Sequence, residues 1–186
     1  MKLIAGLGNP GERYKNNRHN VGWRVLDRLA KKIQNNDLEF KLSKKHSCYL
    51  AQTQDFLLAK PTTQMNSSGV VVSSLASFFK IQPENIWVIH DDLDIKLGQY
   101  KVQRGKGPKI HKGLNSIYER FGKTDFWHVR VGVENRKKPL KILNFQLTRK
   151  VPGERYVLQD FTDEEVEILN PIIGSIVVDL NSYLSK

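Results

Sequence analysis

The chain has 186 residues, enough for one domain with a substantial core. Thirty Lys and Arg against nineteen Asp and Glu leave a formal net charge of +11, which suits a protein that meets a polyanion such as nucleic acid. Cys48 is the sole cysteine, so an internal disulfide is excluded and a reducing, cytoplasmic setting is expected. No run approaches the roughly 20 apolar residues of a membrane-spanning helix, and the start of the chain offers none long enough for a signal peptide.

Leu3 to Ala5, closed by Gly6, Gly8, Pro10 and Gly11, reads as a buried strand entering a glycine-rich loop. A polar loop, residues 12–20, leads to a helix near Val21, whose Val25, Leu26, Leu29 and Ile33 share one face while Arg24, Arg28, Lys31 and Lys32 cover the rest. Strand-like composition follows at 38–42, 48–53 and 56–60, the last two forming a hairpin around Thr53-Gln54-Asp55. Ser67 or Ser68 caps a helix with Val71, Leu75, Phe78 and Phe79 toward the core, ended by Pro83. Ile86 to Ile89 is then a buried strand that delivers His90-Asp91-Asp92 to a loop.

A strand at 99–103, a Gly- and Lys-rich loop from Arg104 to Gly113, a helix through Leu114, Ile117, Tyr118 and Phe121, and a strand at 127–133 complete the alternation. Residues 136–155 carry seven Lys or Arg and one acid with weak periodicity, which reads as a loop or mobile segment. Thr162-Asp163-Glu164-Glu165 is a capping box opening the last helix, which Pro171 should kink or divide. The pattern predicts a single-domain α/β sandwich over 1–186, with a mixed, mostly parallel central sheet flanked by helices.

Gly6-Leu7-Gly8-Asn9-Pro10-Gly11 has the letters of a dinucleotide fingerprint but not its context. The helix starts ten residues too late, and Asp27 lies inside it rather than at the end of a second strand. The loop serves instead to bring Asn9 and His19 to one rim of the sheet, where the strand ending at His90 brings Asp91, Asp92 and Asp94. A carboxylate bonded to one imidazole nitrogen raises the basicity of the other, so a His19–Asp pair can deprotonate water without a nucleophilic serine or cysteine. A metal held by His90, Asp91, Asp92 and Asp94 is the competing use, but no spaced His or Cys pair accompanies them, and no metal is expected. Asn66, at a helix N-terminus, offers a donor and an acceptor to a peptide. Lys101, Arg104, Lys106, Lys109 and Lys112, with no acid among them, suit phosphate contact.

Taken in order, Leu-Gly-Asn-Pro-Gly at 7–11, Arg-His-Asn-x-Gly at 18–22, Pro-Thr-Thr-x-Met-Asn-x-Ser-Gly at 61–69 and His-Asp-Asp-Leu-Asp at 90–94 resemble the bacterial-type peptidyl-tRNA hydrolases. Gly98, His111 with Gly113, and Arg-Val-Gly-Val at 130–133 extend the likeness. The resemblance implies metal-independent hydrolysis of the ester that joins a peptide to the terminal ribose of tRNA, with no cofactor, by a cytoplasmic monomer. It implies His19 as the general base and Asp91 as the residue that orients it. Asn9, Met65, Asn66 and His111 would line the cleft and hold the peptide, with Tyr14 at its edge and Lys112 beside His111. Arg104, Lys106 and Arg130 would meet tRNA phosphate.

The chain departs from the family pattern at Lys112, where asparagine is usual, at Pro108, Lys109 and Ile110, which replace smaller residues, and at Gln103, where a phosphate-binding lysine is common. Residues 134–161 form a longer, more basic connection, expected to act as a lid with added phosphate contacts. The alternative is a non-catalytic RNA-binding protein on the same fold.

Overall fold

The computed structural model describes residues 1–33, 38–121, 125–136, 141–142, 145–146 and 151–184. In chain order they form β1 (Lys2–Gly6), α1 (Val21–Ile33), β2 (Lys41–Ser43), β3 (Cys48–Gln52), β4 (Phe56–Pro61), α2 (Ser68–Phe78), β5 (Ile86–Lys96) and β6 (Tyr100–Arg104). There follow α3 (Lys112–Phe121), β7 (Trp127–Glu134), β8 (Lys141–Ile142), β9 (Phe145–Gln146), α4 (Gly153–Val157) and α5 (Asp163–Leu184). Seven strands make one sheet in the order β2-β3-β4-β1-β5-β7-β6. The central four, β4, β1, β5 and β7, run parallel, and antiparallel strands close both edges.

Strand parity builds two cores. Ile4, Leu58, Trp87, Ile89, Val129 and Val131 face α1 and α5, whereas Leu3, Ala5, Leu57, Ala59, Ile86 and Val88 face α2 and α3. The central strands are therefore continuous apolar runs, as helices on both faces of a parallel sheet require. Helix α1 crosses the sheet at van der Waals distance: a Cβ on Gly22 would lie 2.5 Å from the Ile89 carbonyl oxygen, and one on Gly6 would lie 2.5 Å from that of Gly22. Only glycines permit this approach, and it carries the residues just before α1 to the carboxyl ends of β1 and β5.

The expected architecture is present, with local corrections. β5 does not stop at Ile89 but runs to Lys96, so His90, Asp91 and Asp92 are strand residues. Ser67 precedes α2 but makes no side-chain cap bond, because a 3-10 turn over Met65–Ser67 leads in. Phe78 does not face the core: it is exposed and lies against His46, with the Lys45 ammonium 3.7 Å from its ring centroid, while Phe79 packs inward. Part of the segment read as a loop at 136–155 is ordered into the β8–β9 pair and α4; 137–140, 143–144 and 147–150 lie outside the described residues.

The capping box is formed, since Glu165 N–H donates to Thr162 Oγ1 at 3.3 Å and Thr162 N–H donates to Glu165 Oε2 at 3.1 Å. Pro171 does not divide α5. It removes one backbone donor, while Leu169, Ile173, Ile176, Val177 and Leu180 keep the helix seated on the core. Among the described residues no helix is long and apolar enough to cross a membrane.

Candidate active site

The loop after β1 and the residues before α1 are joined by reciprocal bonds. Asn9 N–H donates to Asn20 Oδ1 and Asn20 Nδ2 donates to the Asn9 carbonyl, both at 2.9 Å. Asn9 Oδ1 accepts Met65 N–H at 2.8 Å. An N–H partner fixes the flip of the amide, so Nδ2 is the donor Asn9 keeps for another molecule.

Arg18 anchors the same segment from behind. Its buried guanidinium donates to the carbonyls of Gln159 and Asp160 at 3.0 and 2.8 Å, pairs with Glu165, and stacks 4.0 Å from the Tyr156 ring centroid. Arg-His-Asn thus divides its labour: Arg18 ties the turn to α4 and α5, Asn20 clamps Asn9, and His19 between them enters the cleft. Neither Arg18 nor Asn20 had been assigned a role from sequence, although both stand in the matched motif.

His19 Nδ1 lies 2.7 Å from Asp91 Oδ1, and His111 Nε2 lies 3.0 Å from the same oxygen. His111 Nδ1 accepts the N–H groups of Gly113 and Leu114 at 3.2 and 3.3 Å, so it caps the first turn of α3. That acceptor role puts the His111 proton on Nε2, directed at Asp91. Both nitrogens of His111 are committed to protein partners, so it enters the cleft as a wall and a brace. Burial would raise the Asp91 carboxyl, but His19 and His111 outweigh it and hold the group far below the usual carboxylate range. Asp91 is therefore an ionised acceptor at every ordinary pH. Its bond to Nδ1 leaves the His19 Nε2 lone pair for a substrate proton.

A cleft of about 520 Å³ opens over this pair. Asn9, Tyr14, His19, Met65, Asn66, Asp91, His111 and Lys112 all line it, so the structure brings together every residue expected for catalysis and peptide binding. Leu93, Ile110, Val157 and Leu158 add an apolar wall that sequence reasoning missed. Their signal was faint, because single apolar residues in polar segments have no period. Lys112 pairs with Glu154 of α4 at 3.2 Å across the mouth.

The residues expected at tRNA phosphate lie elsewhere. Arg104 and Lys106 are exposed, with Arg104 Nε donating to the Asp125 carbonyl at 3.0 Å. Arg130 is buried and its charge is met by Asp92, 2.7 Å from Nε, while Nη1 donates to Gln103 Oε1 at 2.8 Å.

The acids and histidine weighed as a metal site disperse. His90 and Asp92 point to the opposite sheet face from Asp91, and Asp94 Oδ2 accepts Lys109 N–H at 3.2 Å. Ligand-type atoms of His19, Asp91 and His111 do lie within 4.8 Å of one another. A cation there would have to displace the His111 proton from its bond to Asp91 while Nδ1 stays bound to the helix cap, so this donor set suits proton chemistry better.

Fold and site together define an α/β class with a carboxylate-bound imidazole at the carboxyl edge of a parallel sheet, beside an amide donor and an apolar wall. The peptidyl-tRNA hydrolase family model matches residues 3–186. A peptidyl-tRNA hydrolase of Coxiella burnetii (strain CbuK_Q154) is 44% identical over 173 residues, 93% of this chain and 91% of that protein. One from Mycoplasmopsis synoviae (strain 53) is 38% identical over 94% of this chain and 84% of that protein. The crystal structure of peptidyl-tRNA hydrolase from Acinetobacter baumannii superposes with a TM-score of 0.84 at 28% identity, covering 100% of this chain and 89% of that one. The chain belongs to the peptidyl-tRNA hydrolase family.

Proposed function

We propose that the chain hydrolyses the ester between a peptide and the terminal ribose of tRNA, with His19 as general base. The carrying observation is the His19–Asp91–His111 arrangement at the floor of a cleft lined by Asn9, Met65 and Asn66. His19 Nε2 takes a proton from water as its oxygen attacks the ester carbonyl carbon. The carbon–oxygen bond to ribose then breaks, and the proton passes from His19 to the departing ribose oxygen. Asn9 Nδ2 and Asn66 hold the peptide and the reacting carbonyl, Tyr14 packs at the edge, and Leu93, Ile110 and Val157 take apolar peptide side chains. Family membership and the intact His19–Asp91 pair favour the enzyme, and nothing favours the binding-only alternative.

The same reading takes Arg104 and Lys106 as the main phosphate contacts, with a lesser share for Arg130, whose charge Asp92 already meets. Within the basic connection at 134–161, α4 borders the cleft through Gly153, Glu154 and Val157. The chain acts as a cytoplasmic monomer on peptidyl-tRNA without a cofactor.

The test is release of peptide from N-blocked aminoacyl-tRNA, with chelator present. A positioned base contributes about 10²–10⁴ in rate, so His19→Ala should lose at least a hundredfold in kcat while still binding tRNA. Turnover that survives the substitution sinks the assignment. Arg104→Gln and Lys106→Gln should each weaken tRNA binding and lower the salt slope by roughly one counterion; an unchanged slope removes that residue from the interface.

A further inference from the structure

Beneath the loop that joins β6 to α3 lies a row of polar side chains that the hydrolytic mechanism does not use. His90 on β5 and His128 on β7 are both fully buried, on the sheet face opposite Asp91. His90 Nδ1 lies 2.9 Å from the Asp91 carbonyl oxygen, His90 Nε2 lies 3.3 Å from His128 Nδ1, and His128 Nε2 lies 3.5 Å from the Tyr118 hydroxyl of α3. The carbonyl can only accept, which puts the His90 proton on Nδ1 and leaves Nε2 as an acceptor. His128 must then donate from Nδ1, and Tyr118 must donate to His128 Nε2.

The row therefore has one neutral arrangement, reading Tyr118 to His128 to His90 to the Asp91 main chain. A further proton on His90 would set its Nε2–H against the His128 Nδ1–H, and one on His128 would force the Tyr118 hydroxyl to turn and accept. Burial keeps His90 well below the usual imidazole range and brings His128 down to about 4, with Arg130 and His111 adding to the effect. The groups facing the two rings are Asp91 from β5, Arg130 from β7, His111 from the loop and Tyr118 from α3.

The row also meets the loop above it. A Cβ on Gly107 would lie 2.6 Å from the Tyr118 hydroxyl and 3.1 Å from His128 Cε1, so the loop backbone rests on this pair. Four residues later the His111 ring lies edge-on to His90, with centroids 5.2 Å apart, and reaches Asp91 Oδ1. Two buried imidazoles carry a desolvation cost that apolar side chains of similar size would avoid, so filling the core does not account for them.

We infer that Tyr118, His128 and His90 are positioning residues, a directional hydrogen-bond chain that fixes the Asp91 main chain, and through the Asp91 carboxylate the His19 ring, in register with the Gly105–His111 loop. The inference rests on the reading of His19 and Asp91 as the reacting pair. None of the three touches substrate. Their effect is on the aim of His19, hence on kcat rather than on KM.

Two measurements test it. In protein labelled with ¹⁵N in its five histidines, imidazole nitrogen shifts should show His90 and His128 neutral and each protonated at Nδ1 near pH 7. A proton on Nε2 of either overturns the chain. In the peptide-release assay, His128→Phe should lower kcat about tenfold with KM within twofold, less than the roughly hundredfold that a 1 Å displacement of a reacting group costs. His128→Asn, whose side-chain N–H falls near the position of Nδ1, should recover most of that loss. Tyr118→Phe, at a half-buried site that keeps its packing, should lower kcat about threefold. Full kcat in both phenylalanine variants, or His128→Asn no better than His128→Phe at equal fraction folded, overturns the inference. Because His19→Ala reports on the reacting pair independently, turnover lost there but kept in the chain variants refutes this positioning role and leaves the hydrolase assignment intact.

Discussion

The two walls of the cleft are built differently. The first, from Asn9 and the Arg18–Asn20 turn, is held by buried bonds: the Asn9–Asn20 exchange, Met65 N–H on Asn9 Oδ1, and Arg18 spanning to Gln159, Asp160 and Glu165. The second, from the Gly105–Lys112 loop and α4, rests on the Tyr118–His128 pair at Gly107 and has one buried side-chain bond, from His111 to Asp91. It is otherwise held by exposed contacts, Lys109 N–H on Asp94 and the Lys112–Glu154 pair. Catalytic geometry needs the first kind of wall, because a base must stay within a fraction of an ångström of its proton. Admitting a long, variable peptide needs the second kind. The molecule thus places its strongest electrostatics behind His19 and its weakest at the mouth.

The contrast is broken most severely at Arg18. Removing one partner of a buried ion pair leaves an unpaired charge and costs about 3–5 kcal/mol. Arg18→Met should therefore lower the denaturation midpoint sharply, since Glu165 keeps only neutral donors from Asn135, Tyr156 and Thr162. The double variant with Glu165→Leu should recover much of the loss. Unfolding in denaturant decides the matter: a change below about 1 kcal/mol would mean that the first wall does not depend on this pair.

Acid should separate the walls in time. The folded-state value of His128 is about 4, below the ordinary 6.5, so the unfolded chain binds more protons over that interval. Stability from His128 is complete above pH 6.5 and is lost as pH falls toward 4, and His90, also lowered, acts in the same direction. Glu165 titrates in the carboxylate range. Burial would raise it, but its bonds to Asn135, Thr162 and Arg18 hold it below 4.5, so its contribution persists until pH falls under that value. Hydrogen-exchange protection at Leu114–Ile117 should therefore decline between pH 6.5 and 4.5 while that at Arg18–Asn20 holds. Parallel decline at both would show that the walls open as one unit.

What the sequence made legible follows from the same physics. Asn9, His19, Met65 and Asn66 were readable because glycines and prolines mark the turns that carry them, and such punctuation is local. The segment His90-Asp91-Asp92 reads as a loop although it is strand, because three polar residues look solvated until Arg130, His128 and His111 arrive from other elements to meet them. Period-two alternation sends Asp91 to one face and His90 with Asp92 to the other, and that parity separates the carboxylate that meets His19 from the one that meets Arg130. Arg18 carries no local sign of its anchoring role for the same reason: its partner lies 147 residues away. Long-range pairing of buried charge leaves no local pattern.

The weakest contrast lies at the mouth. Lys112 and Glu154 are both more than half exposed, and an ion pair of that kind contributes little in water and less in salt. Lys112 also stands in the first turn of α3, where a cation opposes the helix dipole, so Glu154 offsets a local cost. Glu154→Gln should free α4 from α3 without disturbing His19. The expected outcome is a KM change of about twofold at low ionic strength that vanishes by about 0.5 M salt, where the screening length is only about 4–5 Å, with kcat unchanged. A change in kcat would mean that the mouth and the base are coupled, and that the second wall takes part in catalysis rather than in admission alone.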